Sequence, residues 1–163
     1  MIITEQSFSS LLEKVKKLKV EAGVDLSTSE DLSVAVMNLI SLEEHFFFTG
    51  VKTNDDSYFE SGAEIRELRK ELLGRLMADH EGETWCVSKH LLSATMRLIE
   101  VGYKLQSENK KTEAGEMFKR AYKIYSIFWL LKLKLVDVKQ KPATPAGSRL
   151  EQIIGELANC CDE

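Results

Sequence analysis

The sequence predicts an all-α protein: an up-and-down four-helix bundle with an additional N-terminal helix and a short C-terminal helix. Apolar residues recur three and four positions apart over several long segments, which is the spacing of an amphipathic helix. The 163 residues include only two prolines and nine glycines, fewer than a many-turned β fold uses. The loops between the segments are a few residues long, so we expect consecutive helices to be antiparallel neighbours.

Five main helices follow from the apolar periodicity, over residues 4–20, 30–49, 57–78, 84–107 and 112–135. The first has lysines opposite its apolar side. Thr28 or Ser29 is the expected N-cap of the second helix, and Gly50 is its expected C-terminal stop. Thr112 is the expected cap of the fifth.

The chain divides into one helical domain and a tail. We assign residues 1–138 to the helical bundle domain and 139–148, which contain both prolines, to a linker. Residues 149–163 form a short amphipathic C-terminal tail. A single domain is what this length predicts, and it is long enough to bury a real core.

Composition indicates an ordinary water-soluble protein, and we expect a cytoplasmic one. Charged residues make up 29% of the chain and apolar residues 44%. No apolar run reaches the length of a membrane span, so no membrane partner is expected, and the first residues lack the layout of a secretory signal. Three cysteines without a regular spacing do not make a disulfide framework.

Glu43 is the most unusual residue, because it falls within the apolar arc of its helix. Ala35, Phe46, Leu39, Leu32, Val36, Phe47 and Ile40 share that arc on a helical wheel. Polar residues also fall inside the apolar faces of the other helices, namely Arg69, Ser88, Thr95 and Tyr125. We therefore predict a polar network in the core, with Glu43 and Arg69 paired and the three hydroxyls in support.

The core polar network has two interpretations. In the first it sets the register of the helices and has no ligand. In the second Glu43 and Arg69 bind a small polar or anionic molecule between the helices. Replacing Glu43 with glutamine separates them, since only a sealed ion pair loses much stability.

Metal and cofactor sites are not expected. A di-iron bundle needs Glu-x-x-His pairs, and the sequence contains none. Cys86 and His90 lie four residues apart and share a helix face, but a structural zinc ion needs about four ligands. They are weak candidates, and we assign no metal site and no cofactor.

An enzymatic alternative rests on two residues and on the charge distribution. Four residues separate Arg75 from His80, which resembles the Arg-x4-6-His motif of HEPN ribonucleases, although Leu76 stands where a polar residue commonly follows the arginine. The resemblance implies an RNA-binding or RNA-cleaving helical domain with Arg75 and His80 as its site. Residues 104–149 carry 11 Lys and Arg against 4 Asp and Glu, which suits RNA.

Phe48 indicates a second contact surface. It falls on the polar side of its helix near Val34 and Met37, so either the N-terminal helix or a partner chain should cover it. We therefore expect a non-catalytic protein that acts through protein–protein contact or self-association, with a homodimer as one form. The alternatives are a HEPN-like RNA domain and a small-ligand site at Glu43 and Arg69.

Overall fold

The computed structural model describes residues 26–78 and 83–134, together with residues 13 and 17. This part of the chain contains four α-helices and no strand, which confirms the all-α class. The helices are α1 (Ser27–Thr53), α2 (Ser57–Leu76), α3 (Thr84–Ser107) and α4 (Lys111–Lys132). The linker and the tail lie outside the described residues, as does nearly all of the N-terminal helix.

The start and end of α1 differ from the prediction. The helix begins at Ser27 after Leu26, and no side chain caps it. It also continues past Gly50 to Thr53, and it ends at Asn54, which adopts the left-handed conformation at φ 53°. Gly50 instead provides space for α2, because a Cβ there would lie 2.9 Å from the ring of Phe59.

The helices pack as two antiparallel pairs. α1 packs most closely on α2 and α3 on α4, while a smaller contact joins α1 to α3. Three residues connect the helices within each pair, so the chain reverses directly from one helix into the next. In the first connection the Asp55 carboxylate accepts hydrogen bonds from the backbone N–H and the hydroxyl of Ser57, at 3.0 and 2.7 Å.

The main core forms where all four helices meet. Its buried side chains are Leu26, Val36, Met37, Leu73, Leu76, Met77, Leu92, Phe128 and Trp129. Phe128 is fully buried, and its ring lies 6.0 Å from the ring of Tyr125 and 5.5 Å from that of Trp129. The second half of α1 lies away from this core, since none of these residues comes from it.

No helix in the described ranges combines the length and the apolar character that crossing a bilayer requires.

Candidate functional site

Glu43 and Arg69 form an ion pair between α1 and α2. Nε of Arg69 lies 2.8 Å from one carboxylate oxygen of Glu43, and Nη2 lies 3.3 Å from the other. The Arg66 Nε also donates to Glu43, at 3.3 Å. The side chains of Arg69 and Glu43 are 6% and 16% exposed, whereas Arg66 is 62% exposed. Both oxygens of the carboxylate therefore have guanidinium partners, one of them buried.

The two arginines control the protonation of Glu43. Burial alone would raise the pKa of this carboxyl group. The hydrogen bond and charge of Arg69, followed by those of Arg66, outweigh burial and hold the pKa of Glu43 below its usual value of 4.5. Glu43 is therefore a stable carboxylate near neutral pH, which does not suit a general acid.

Three hydroxyl groups were expected to support this ion pair, but each forms its contact with another group. Thr95 donates to the backbone carbonyl of Leu91, at 2.8 Å, one turn earlier in α3. Ser88 is fully buried, and its Oγ lies 3.7 Å from the sulfur of Met77. The Tyr125 hydroxyl lies 2.7 Å from Oγ of Ser33. The structure brings Glu43 and Arg69 together, but it does not join Ser88, Thr95 and Tyr125 to them.

Tyr125 links α4 to the beginning of α1. Ser33 donates its hydroxyl proton to the carbonyl of Glu30 at 2.7 Å, so Tyr125 is the donor in its bond to Ser33. Each hydroxyl has a partner, and this pair forms a second polar contact separate from Glu43.

We expect Tyr125→Phe to lower the free energy of unfolding by about 1 kcal/mol, because one hydrogen bond is lost and Ser33 keeps its other bond. Urea denaturation measures the change. Tyr122→Phe is the matched control, since the Tyr122 side chain is exposed on the same helix. A loss of more than about 3 kcal/mol would contradict this account and would place Tyr125 in a larger network.

Cys86 and His90 contact each other on α3, with 3.6 Å between Sγ and Nε2. Within the described residues, no group of three or more His, Cys, Asp or Glu side chains is arranged to hold a metal ion. The pair therefore supplies two possible ligands, fewer than a structural zinc site requires.

Arg75 lies on the surface near the end of α2. Its Nη2 lies 2.6 Å from an oxygen of Glu71, one turn earlier, and both side chains are exposed. Pairs of this kind are common on solvated helix surfaces and contribute little to stability. His80, its proposed catalytic partner, lies outside the described residues.

The second half of α1 presents a group of exposed apolar side chains, which we call the α1 aromatic surface: Phe47, Phe48 and Val51. They are 55%, 49% and 60% exposed. The rings of Phe47 and Phe48 lie 5.2 Å apart, edge to face, so they form a continuous patch. The wheel placed Phe47 in the core arc, and this prediction is wrong. The wheel position of Phe48 was the only signal of this surface in the sequence.

A shallow groove of about 330 Å³ adjoins the α1 aromatic surface, between α1 and α3. Its lining includes Glu44, His45, Phe48 and Lys52 of α1 and Arg97 and Glu100 of α3. Arg97 pairs with Glu44 across the groove and with Glu100 on its own helix. Two acidic and two basic side chains therefore balance each other beside an exposed aromatic ring.

No known protein family, curated protein or solved structure matches this chain. The candidate sites of this chain are the Glu43–Arg69 pair and the α1 aromatic surface with its groove.

Proposed function

We propose that this chain is a non-catalytic, cytoplasmic helical-bundle protein that acts through protein–protein contact or self-association. In this proposal the four helices form an up-and-down bundle within a domain of residues 1–138. An additional N-terminal helix belongs to that domain, and the linker 139–148 and the short helical tail 149–163 follow it. The α1 aromatic surface is the contact site.

The observation that carries the proposal is the exposure of Phe47, Phe48 and Val51 next to one another. Fully burying a side chain such as phenylalanine or valine stabilises a protein by about 1.5–3 kcal/mol, and exposed side chains forgo most of that gain. Single exposed apolar residues are ordinary, but clusters with a polar rim are typical of interaction sites. The charged groove beside this cluster supplies such a rim.

The composition of the surface favours a protein partner over a nucleic acid. Protein interfaces combine an apolar, aromatic centre with a polar edge. RNA binding depends on an excess of positive charge that neutralises phosphates. The groove has equal numbers of acidic and basic side chains, so it does not supply that excess.

The two alternatives have less support in the described residues. A small-ligand site at Glu43 and Arg69 needs free polar groups, yet each carboxylate oxygen of Glu43 has an arginine partner. Arg69 is buried against Glu43 and does not line the groove. The RNA-cleaving alternative at Arg75 and His80 predicts an assembly that contains RNA, and RNase treatment of the cell extract tests it.

The size of the native assembly tests the proposal. We expect the tagged full chain, in an extract of cells that make it, to elute in size-exclusion chromatography well above the mass of one tagged chain, which is 18.5 kDa plus the tag. Phe47→Gln combined with Phe48→Gln should return it to that mass, because glutamine keeps the helix propensity and removes the apolar contact. Tyr122→Gln, which alters an exposed aromatic residue on α4, is the matched control.

Elution of the tagged wild-type chain at the mass of a single tagged chain would overturn the proposal. A large form that collapses after RNase treatment, and that both phenylalanine substitutions leave intact, would support the RNA alternative instead.

A further inference from the structure

We infer that the α1 aromatic surface binds a second copy of this chain, through a two-fold contact of antiparallel α1 helices centred on Phe48. The inference rests on the proposed function and names its partner. It is drawn from the order of charges along α1 and from the charge balance of the adjoining groove.

The charges on the two sides of Phe48 are opposite in sign, so a second copy in the reverse direction would present a complementary pattern. Glu44 lies four residues before Phe48, and Lys52 lies four residues after it. Residues four apart occupy the same face of a helix, so all three side chains point toward a partner that approaches Phe48. All three also line the groove.

A two-fold axis through Phe48 brings these residues into register. In a two-fold contact, residue i of one copy meets residue j of the other, and j meets i. With antiparallel helices, Glu44 of each copy then lies opposite Lys52 of the other, and the two Phe48 rings meet at the axis. The contact has an aromatic centre, with one Glu44–Lys52 ion pair on each side of it.

The rest of the groove allows this approach. Arg97 pairs with Glu44 and holds its carboxylate at the groove between α1 and α3. Glu100 offsets the charge of Arg97, so the charged side chains of the groove sum to zero and add no repulsion of their own to the contact. Val51 adds apolar area beside the centre, and in this register it lies opposite His45 of the second copy.

Sedimentation velocity of the purified full chain tests the inference over a concentration range of about 5 to 500 µM. We expect the wild-type mass to rise toward that of two copies. Lys52→Glu and Glu44→Lys should each weaken self-association at least about tenfold, because each places two pairs of like charges across the contact. An equimolar mixture of the two variants should dimerise again, since a mixed pair has opposite charges at both contacts.

Lys119→Glu is the matched control for Lys52→Glu, because it makes the same change of net charge on an exposed residue of α4. It should leave the dimer unchanged. Far-UV circular dichroism checks that each variant folds. If Glu44→Lys does not fold, Glu44→Gln replaces it and should weaken the dimer. Its equimolar mixture with Lys52→Glu should then recover association in part, because one Glu44–Lys52 pair is kept in the mixed dimer.

Three results would overturn the inference. These are a strict monomer at every concentration, no recovery in the mixture of folded Lys52→Glu and Glu44→Lys, or a chemical cross-link from position 48 to residues 1–25 of the same chain. A purified monomer whose phenylalanine-dependent large form persists in cell extract would refute self-pairing and leave the proposed function intact. Absence of both the dimer and the large form in the wild-type chain would refute the self-pairing and the proposed function together.

Discussion

Replacing Glu43 with glutamine is expected to lower the free energy of unfolding by about 3 kcal/mol, because it leaves the buried guanidinium of Arg69 without an opposite charge. Arg69 is 6% exposed, so its guanidinium has little access to water that could offset the lost carboxylate. Urea denaturation near neutral pH measures the loss. A change below about 1 kcal/mol would contradict the ion pair and favour an open ligand site at Glu43.

Arg66→Gln is the matched control for that substitution. Arg66 bonds the same carboxylate, but its side chain is mostly exposed and the buried Arg69 partner remains in place. We expect a loss of less than about 1 kcal/mol, as for exposed ion pairs in general. Equal losses for Arg66→Gln and Glu43→Gln would show that burial of Arg69 is not the cause.

The pH dependence of the Glu43→Gln effect follows from the lowered pKa of Glu43. The folded state favours the carboxylate, so the stabilisation is present above the unfolded-state pKa, near 4.5, and is lost as the pH falls through the lower folded-state pKa. The difference in stability between the wild-type chain and Glu43→Gln should therefore shrink in acid. A difference that stays constant from about pH 6 to pH 3 would contradict this linkage.

Gly102→Ala is expected to lower the free energy of unfolding by about 2 kcal/mol, because α4 leaves no space for a side chain there. A Cβ on Gly102 would lie 2.7 Å from Cδ1 and 3.0 Å from Cζ of Phe118. The Phe118 ring also contacts Tyr103, at 5.3 Å between centroids, which restricts its movement. Thermal and urea unfolding measure the change.

Gly115→Ala is the control for this helix contact. Nothing lies within 4 Å of a Cβ placed on Gly115, in the first turns of α4. Alanine favours the helix over glycine by about 1 kcal/mol, so this substitution should stabilise the protein. The opposite signs of the two glycine substitutions are the test, and stabilisation by Gly102→Ala would refute the close approach of α3 and α4.

The sequence predicts the helical class well, because long stretches of regular apolar spacing leave little choice of local structure. The end of α1 was harder to predict. Glycine commonly ends a helix, but Gly50 lies inside α1. Its role here is to leave space for the ring of Phe59, which follows the loop in sequence and packs against Gly50. A tertiary contact of this kind has no signature in the local sequence.

The Glu43–Arg69 pair could be predicted from the sequence because both residues fall inside apolar arcs of helices that follow each other in the chain. The hydrogen-bond partners of the hydroxyl groups could not be predicted, since a helical wheel gives the direction of a side chain but not its height along the helix. A threonine such as Thr95 also satisfies its hydroxyl within its own helix. The exposure of Phe47 depends on how far the main core extends along α1. The α1 side chains that are buried in it or packed against it are Leu32, Val36, Met37 and Ile40, all of which precede Phe47.

The most direct test of the central claim is a photo-activated cross-linker in place of Phe48 in the full chain, with one in place of Lys119 as the control. We expect a discrete protein adduct from position 48 at the mass of two chains, and none from position 119. Irradiation that leaves position 48 unlinked to any protein, or links it to RNA, would contradict the claim that this surface is a protein contact.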